Sequence, residues 1–163
     1  MYLGLGSNIG DREAYLRFAF QELQSLLTDL KVSRVYESEP MYVTDQARFL
    51  NAVAHGFTDM EPFSFLKAVL DLEDRAGRVR RGVIRRGPRV LDVDVLLFGD
   101  RLIDTPRLTC PHPLMKERIF VLLPLLELSP DCKEPGTNIH YQDYLNTLLE
   151  QGENRKIRLF HGS

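Results

Sequence analysis

The sequence lacks several features that mark other classes of protein. Its 163 residues include only two cysteines, Cys110 and Cys132, whose spacing fits neither a metal site nor a disulfide framework. We therefore expect free thiols in a reducing cytoplasm. No apolar run approaches the length of a membrane span, and the N-terminus lacks the basic and then apolar pattern of a signal peptide. These absences predict a cytoplasmic protein that has no membrane partner.

An excess of basic charge is also missing. Lysine and arginine number 21 against 23 acidic residues, which leaves a formal net charge of -2. A general nucleic-acid binder is basic over a whole face, so this balance argues against nucleic acid as the partner. The content of 44% hydrophobic and 27% charged residues is ordinary for a globular protein. The length predicts a single domain over residues 1–163.

The common phosphate-binding loops are absent as well, since there is neither Gly-Lys-Ser/Thr nor G-x-G-x-x-G. A short strand is predicted over residues 2–6, followed by a helix-capping turn at Ser7–Asp11. The spacing of Gly4 and Gly6 on this strand does not fit a phosphate loop. We expect these glycines to let another group pack close to the backbone.

What the sequence does contain is concentrated in residues 78–98. Six arginines fall within twelve residues, and an apolar strand predicted over Val90–Phe98 carries Asp92 and Asp94. Side chains alternate along a strand, so both carboxylates share one face while Leu91, Val93 and Val95 enter the core. Charges on so apolar a strand are costly unless they are paired or liganded.

Carboxylate oxygens are ligands that suit Mg²⁺, and the guanidinium fork pairs well with phosphate oxygens. The combination predicts a site for a nucleoside triphosphate. The alternatives are paired acids on an exposed strand and a basic loop that is solvated or contacts nucleic acid. A separate signal is Asn51 beside Phe49 on an apolar strand. Its amide can read the edge of a heterocycle, or it can be a satisfied core asparagine.

The pattern of elements predicts an α+β fold. The order strand, helix, strand, strand, helix, strand indicates a ferredoxin-like split βαβ antiparallel sheet with covering helices, in three αβα layers. Glu73 and Asp74, near the end of the second helix, are expected to be solvated. Pro124 is expected to end or kink a helix, and the chain from Ser129 is predicted as a loop before a last helix. The predicted strands cover residues 2–6, 31–36, 49–57 and 90–98, and helices after the first one cover residues 62–77, 114–126 and 141–150.

Taken together, the motifs resemble those of the 6-hydroxymethyl-7,8-dihydropterin pyrophosphokinase family from Leu3 to about Pro130. The resemblance rests on LGLGSN, FLNAV, LEDRAGRVRR, GPRVLDVDVLLFG and PHPLMKERIF. Members of this family transfer the β,γ-diphosphate of ATP to a pterin alcohol in folate biosynthesis and release AMP. The resemblance therefore implies an ATP-dependent diphosphotransferase whose small-molecule partners are ATP and the pterin, acting as a monomer without nucleic acid.

The resemblance also implies roles for individual residues. Asp92 and Asp94 would hold two Mg²⁺ ions, with Asp94 also near the attacking hydroxyl, and Arg78 and Arg89 would contact the phosphates. The sequence differs from common members in four places: Ser38-Glu39-Pro40 stands for Thr-Pro-Pro, Arg86 for an aromatic residue, and Phe49 and Pro113 each for tyrosine. The implied ATP-binding residues are Arg107, Thr109, His112 and Arg118, and the implied pterin-binding residues are Ser38, Met41, Phe49, Asn51 and Phe120.

Two rival functions follow from the same residues. One is a different magnesium-nucleotide transferase on the same fold. The other is an RNA-binding ferredoxin-like module that uses the arginine-rich segment, which predicts aromatic side chains on the exposed sheet face. Asp92 and Asp94 are expected on that face, and without a metal they would repel phosphate.

Overall fold

The computed structural model describes residues 1–77 and 87–162, and a six-stranded antiparallel sheet lies at its centre. The strands are hydrogen-bonded in the order β5-β1-β4-β3-β8, and β2 pairs with β4 beside β3. A separate pair, β6 and β7, forms a small hairpin-like sheet. The strands are β1 (Tyr2–Ser7), β2 (Thr28–Val32), β3 (Tyr36–Ser38), β4 (Phe49–Phe57), β5 (Asp92–Leu97), β6 (Ile103–Asp104), β7 (Thr109–Cys110) and β8 (Ile157–Leu159).

Helices pack on both sides of the sheet around two apolar cores. The first core joins side chains of α1 and α2 to Leu3, Leu5 and Val93, and the second joins α3 and α4 to Val53 and Leu96. The split follows from strand alternation, since neighbouring residues of one strand enter opposite cores. The helices are α1 (Arg12–Leu23), α2 (Pro62–Arg75), α3 (Ile119–Leu128) and α4 (Tyr141–Glu150), with 3₁₀ turns at Met115–Glu117 and Glu153–Lys156.

Local sequence explains where the first two helices begin. The Asp11 carboxylate accepts a hydrogen bond of 3.0 Å from the Ala14 backbone N–H, which satisfies one of the unpaired donors of the first turn of α1. Pro62 occupies the first turn of α2, where its missing N–H costs nothing. Both starts agree with the sequence prediction.

The second predicted strand, residues 31–36, is wrong in its extent. The structure has two strands there, β2 and β3, separated by residues 33–35. The Arg34 backbone N–H donates to the Glu127 carboxylate at 3.0 Å, and this contact takes the place of a strand hydrogen bond. A side chain 93 residues further along the chain decides this break, so local sequence could not predict it.

The C-terminal half differs in three places. The helix predicted over residues 114–126 is a 3₁₀ turn followed by α3, because Arg118 between them is extended with φ -114° and ψ 100°. Pro124 does not end α3, which continues to Leu128. The part of the chain after Ser129 also contributes a strand, β8, that pairs with β3. Cys110 and Cys132 are free thiols, as predicted.

Within the described ranges, no helix is long and apolar enough to cross a membrane.

Candidate active site

Three neighbouring strands form the floor of the site. Asp92 of β5 stands opposite Gly6 of β1, and Gly6 stands opposite Asn51 of β4. A side chain at Gly6 would fill the space between the carboxylate and the amide, and its Cβ would meet the Asn51 Oδ1 at 3.4 Å. Gly4 is packed in the same way, with the ideal Cβ 3.4 Å from Leu96 Cδ2. Because 3.4 Å is an ordinary van der Waals distance, the expectation that these glycines let another group pack close to the backbone stays a prediction.

One cleft above this floor is lined by all five predicted pterin-binding residues. Its walls include residues of β1, β3, β4 and β5 and of the loop between β3 and β4. Asn51 is buried, and its Nδ2 donates to the Ser38 Oγ at 2.8 Å, which orients the amide. The predicted residues on its walls are Ser38, Met41, Phe49, Asn51 and Phe120.

A second cleft lies on the other side of β5. Its walls include three of the four predicted ATP-binding residues, Arg107, Thr109 and His112. The fourth, Arg118, lines the first cleft instead. Of the residues that the structure describes, Arg89, Asp92 and Asp94 line both clefts.

Cations surround the two carboxylates where the clefts meet. Arg89 forms an ion pair with Asp92, and Arg118 Nη1 lies 3.4 Å from the Asp94 Oδ2. Burial in the site, followed by repulsion from Asp92, raises the pKa of Asp94 well above its usual range, although Arg118 and Arg89 oppose this shift. Burial and the neighbouring Asp92 carboxylate therefore favour the neutral form of Asp94 more strongly than the two arginines favour its charged form.

His112 faces the same carboxylate as a neutral imidazole. Burial and then repulsion from Arg118 lower the pKa of His112 to about 4. The Leu114 backbone N–H donates to His112 Nδ1 at 3.1 Å, so the ring proton of the neutral form is on Nε2. That atom lies 3.8 Å from the Asp94 Oδ2 and can donate into the cleft.

Arg118 lies close to two aromatic rings. The centre of its guanidinium is 5.8 Å from the Tyr42 ring and 5.7 Å from the Phe120 ring, within the range of cation–π contact. Its Nε is buried without a hydrogen-bond partner among the described residues. The rings restrain the guanidinium beside Asp94 and leave donor capacity for a ligand.

Comparison with known proteins decides the family. The sequence profile described as 7,8-dihydro-6-hydroxymethylpterin-pyrophosphokinase (HPPK) matches residues 2–130. The chain belongs to the HPPK family. The 2-amino-4-hydroxy-6-hydroxymethyldihydropteridine pyrophosphokinase of Bacillus subtilis is 44% identical over 139 residues, which cover 84% of this chain and 82% of that relative.

Some HPPK relatives are much longer. The folic acid synthesis protein fol1 of Schizosaccharomyces pombe is 42% identical over 98% of this chain, which spans 21% of that protein. A crystal structure of an HPPK-DHPS protein in complex with substrates superposes with a TM-score of 0.78 at 13% identity, covering 97% of this chain and 46% of that one. The superposition on the HPPK-DHPS structure supports the fold, which is a mixed arrangement of helices and antiparallel sheet.

The donor set of this HPPK chain fits Mg²⁺. Among residues 1–77 and 87–162, no group of three or more His, Cys, Asp or Glu side chains could hold a metal ion. Asp92 and Asp94 supply two carboxylates, and Mg²⁺ commonly takes one or two carboxylates and completes its shell with phosphate oxygens and water. A bound cation would favour the ionised form of Asp94, which burial and the Asp92 carboxylate disfavour.

One expectation about the HPPK site is wrong. Glu73, expected to be solvated, is buried, and its carboxylate accepts a hydrogen bond of 2.7 Å from the Val93 backbone N–H. Val93 lies between Asp92 and Asp94 on β5, which is an edge strand of the sheet that the described residues form, so within that sheet its outward N–H has no strand partner. Glu73 completes the edge and supports the residues on either side.

Sequence reasoning missed further residues of the HPPK site. Tyr42 and Gln46 line the first cleft from the loop between β3 and β4. Asn8, which follows β1, donates a hydrogen bond to Gln46. The capping turn was the only role predicted for Ser7 and Asn8, but Ser7 Oγ donates to the Val90 carbonyl. The predicted phosphate contact Arg78, together with Arg80 and Arg86, lies outside the described residues.

Proposed function

We propose that this HPPK chain transfers the β,γ-diphosphate of ATP to the hydroxymethyl group of 6-hydroxymethyl-7,8-dihydropterin and releases AMP, as a step of folate biosynthesis. The observation that carries the proposal is that two clefts of different chemistry share Arg89, Asp92 and Asp94. One cleft suits a flat polar ring and the other a nucleotide. The shared residues supply the guanidinium and the two carboxylates that the transfer of a diphosphate group requires.

The first cleft would bind the pterin. Phe49 and Phe120 provide aromatic surface for the two faces of a flat ring, and the Asn51 amide can donate to and accept from its edge. Ser38 holds the amide through its hydroxyl, and Met41 adds an adaptable apolar wall. The hydroxymethyl group would then point toward Asp94, at the junction of the clefts.

The second cleft would bind ATP. Arg107 and Thr109 offer donors at its far wall, while His112 and Arg118 offer donors close to the junction. Arg89, now paired with Asp92, is placed to contact the phosphates, and Arg78 is proposed for the same role. Two Mg²⁺ ions held by Asp92 and Asp94 would neutralise the polyphosphate and orient it.

The reaction is an in-line displacement at the β-phosphorus. A bond forms from the hydroxymethyl oxygen to the β-phosphorus, the bond to the α,β-bridging oxygen breaks, AMP leaves with that oxygen, and the hydroxyl proton is released. Positioning and charge stabilisation dominate such chemistry. Arg89 and Arg118 stabilise charge on the transferred group, and His112 donates a hydrogen bond without adding charge.

The same proposal includes the finer description of the molecule. The sheet order, with helices on both faces, supports a ferredoxin-like split βαβ core in a three-layer αβα arrangement. We propose that residues 1–163 form a single pyrophosphokinase domain that acts as a monomer in the cytoplasm, with no nucleic acid as partner.

Product analysis tests the function. Purified protein is incubated with MgATP in the presence and absence of 6-hydroxymethyl-7,8-dihydropterin, and AMP and ADP are separated by chromatography. We expect AMP only when the pterin is present, with no ADP. ADP as the product would indicate an ordinary kinase. The absence of both products, with RNA affinity that falls steeply as salt rises, would replace the proposal with the RNA-binding alternative.

A further inference from the structure

Asn8 connects the two clefts through four hydrogen bonds. Its backbone N–H donates to the Arg89 carbonyl at 3.0 Å, and its Oδ1 accepts from the Arg89 backbone N–H at 2.7 Å. Its Nδ2 donates to Gln46 Oε1 and to the Ala47 carbonyl, each at 3.0 Å. Asn8 itself is buried, with 4% of its surface exposed.

The two sets of partners belong to different parts of the site. Arg89 pairs with Asp92 and lines both clefts. Gln46 lies in the loop of residues 41–48, here called the pterin loop, and its Nε2 donates to the Val43 carbonyl at 2.7 Å. Met41 from this loop lines the first cleft. The buried Asn8 amide thus holds the Arg89 backbone on the phosphate side. It also holds the pterin loop, directly at the Ala47 carbonyl and through Gln46 at the Val43 carbonyl.

We infer that Asn8 is a positioning residue that fixes the pterin loop relative to the Arg89 backbone, so that the pterin and the diphosphate meet at the right separation. The inference rests on the proposed function and extends it to a residue that touches neither substrate cleft. A displacement of about 1 Å between reacting groups can cost a factor of about 100 in rate, so a rigid link of this kind matters for turnover.

The backbone partners fix the orientation of the amide. The Arg89 N–H can only donate and the Ala47 carbonyl can only accept, so Oδ1 faces Arg89 and Nδ2 faces Ala47. The two halves of the link can therefore be separated by substitution. Asn8→Asp keeps an acceptor for Arg89, loses both donors and places an oxygen against the Ala47 carbonyl. Asn8→Ala removes the side-chain hydrogen bonds of both halves and keeps only the backbone hydrogen bond from the Asn8 N–H to the Arg89 carbonyl.

Amide hydrogen exchange of the full chain without ligands gives the first readout. In Asn8→Asp we expect at least tenfold faster exchange in the pterin loop while the Arg89 amide keeps its protection. In Asn8→Ala both should exchange faster. Asn146→Asp, at an exposed position of α4, is the matched control and should change neither. Unchanged exchange in the pterin loop of both Asn8 variants would overturn the inference.

Ligand binding and kinetics give the second readout. Asn8→Asp should weaken pterin binding about tenfold, the loss expected for unpaired buried polar groups, and change binding of a non-hydrolysable MgATP analogue less than about twofold. Asn8→Ala should also lower kcat by about a hundredfold. Gln46→Ala should weaken pterin binding alone, and combining it with Asn8→Asp should add little, because both break one link.

These results distinguish the inference from its rivals. A lower melting temperature with unchanged kcat, KM and dissociation constants would show a purely structural role and overturn it. Additive losses in the double variant would do the same. If Asn8→Ala does not fold, Asn8→Asp and Gln46→Ala still test the link. Failure of the wild-type protein to release AMP would reject the proposed function, whereas the exchange measurement tests the link without any substrate.

Discussion

At the scale of single residues, Asp94 carries the sharpest prediction. It lies where the clefts meet, 3.4 Å from Arg118 and 3.8 Å from His112 Nε2. We expect Asp94→Asn to lower kcat by roughly a thousandfold, because the charge that holds Mg²⁺ and the reacting diphosphate is lost. Pterin affinity should change less than about threefold, since the Asn51 end of the cleft is intact. Steady-state AMP release and calorimetry measure the two effects.

Asp100→Asn serves as the control for this substitution. Asp100 is exposed in the turn after β5 and lines neither cleft. It should leave both quantities unchanged. Equal losses of kcat and pterin affinity in Asp94→Asn would contradict the role given to Asp94.

Site residues differ in how far the sequence could predict them. Asp92, Asp94 and Asn51 are polar residues on apolar strands, and strand alternation alone predicts that the two carboxylates share a face. Glu73 and Asn8 gave no such signal. Their partners, Val93 and the Arg89 backbone, are 20 and 81 residues away in sequence, so only the packed chain shows what they hold.

At the scale of elements, Glu73 links α2 to the edge strand β5. Glu73→Ala would leave the buried Val93 N–H unpaired, and we expect the free energy of unfolding to fall by about 2 kcal/mol together with kcat. Glu73→Gln keeps an acceptor in place and should retain most of the stability. Urea unfolding monitored by circular dichroism measures both variants, and equal destabilisation would show that the charge, not the hydrogen bond, matters.

A second link between elements gives a pH prediction. Glu37 of β3 accepts from Arg12 of α1 at 3.0 Å and from Arg158 Nε of β8 at 2.9 Å. Burial raises the pKa of Glu37, but the hydrogen bonds from Arg158 and Arg12 outweigh it and leave this pKa below the ordinary value. The ionised group therefore stabilises the fold above the unfolded pKa of about 4.3, and this contribution is lost as pH falls through the folded pKa.

Glu37→Gln tests the sign of this effect. It should lower the free energy of unfolding by about 2 kcal/mol at pH 7, and the difference from wild type should shrink as the pH falls below about 4. Urea unfolding at several pH values measures the difference. Asp71→Asn, which breaks an exposed pair with Lys67, should show little effect at any pH. A difference for Glu37→Gln that stays constant down to pH 3 would contradict the assignment.

Elements with strong local patterns were predictable, and those defined by distant contacts were not. The period of α2 and the alternation of β4 and β5 agree with the structure. The division between β2 and β3 depends on Glu127, and β8 depends on pairing with β3 and on Arg158 meeting Glu37. Local propensity contains no information about such partners.

At the scale of the whole molecule, a single domain predicts one cooperative unfolding transition. The two cores share one sheet, so loss of either should expose the other. The chain has no tryptophan and six tyrosines, and tyrosine fluorescence therefore reports on tertiary structure. We expect fluorescence and far-ultraviolet circular dichroism to give coincident urea midpoints. Two separate midpoints would contradict a single domain.

The family and the fold class followed from sequence motifs and element order, and the profile match over residues 2–130 agrees with the resemblance. The length of a protein that contains these motifs does not follow from them in the same way. Relatives include chains of which this sequence spans about four fifths and others of which it spans 21%. The shared motifs identify the site, whereas the length of chain outside the matched region varies between relatives.

The central claim is that the two clefts, which meet at Arg89, Asp92 and Asp94, transfer a diphosphate as one unit. The most direct test of this claim is ³¹P NMR of the complete reaction. The account predicts that ATP signals are replaced by AMP and by a diphosphate monoester of the pterin in equal amounts. Inorganic phosphate should not accumulate. A pterin monophosphate formed together with ADP would contradict the account.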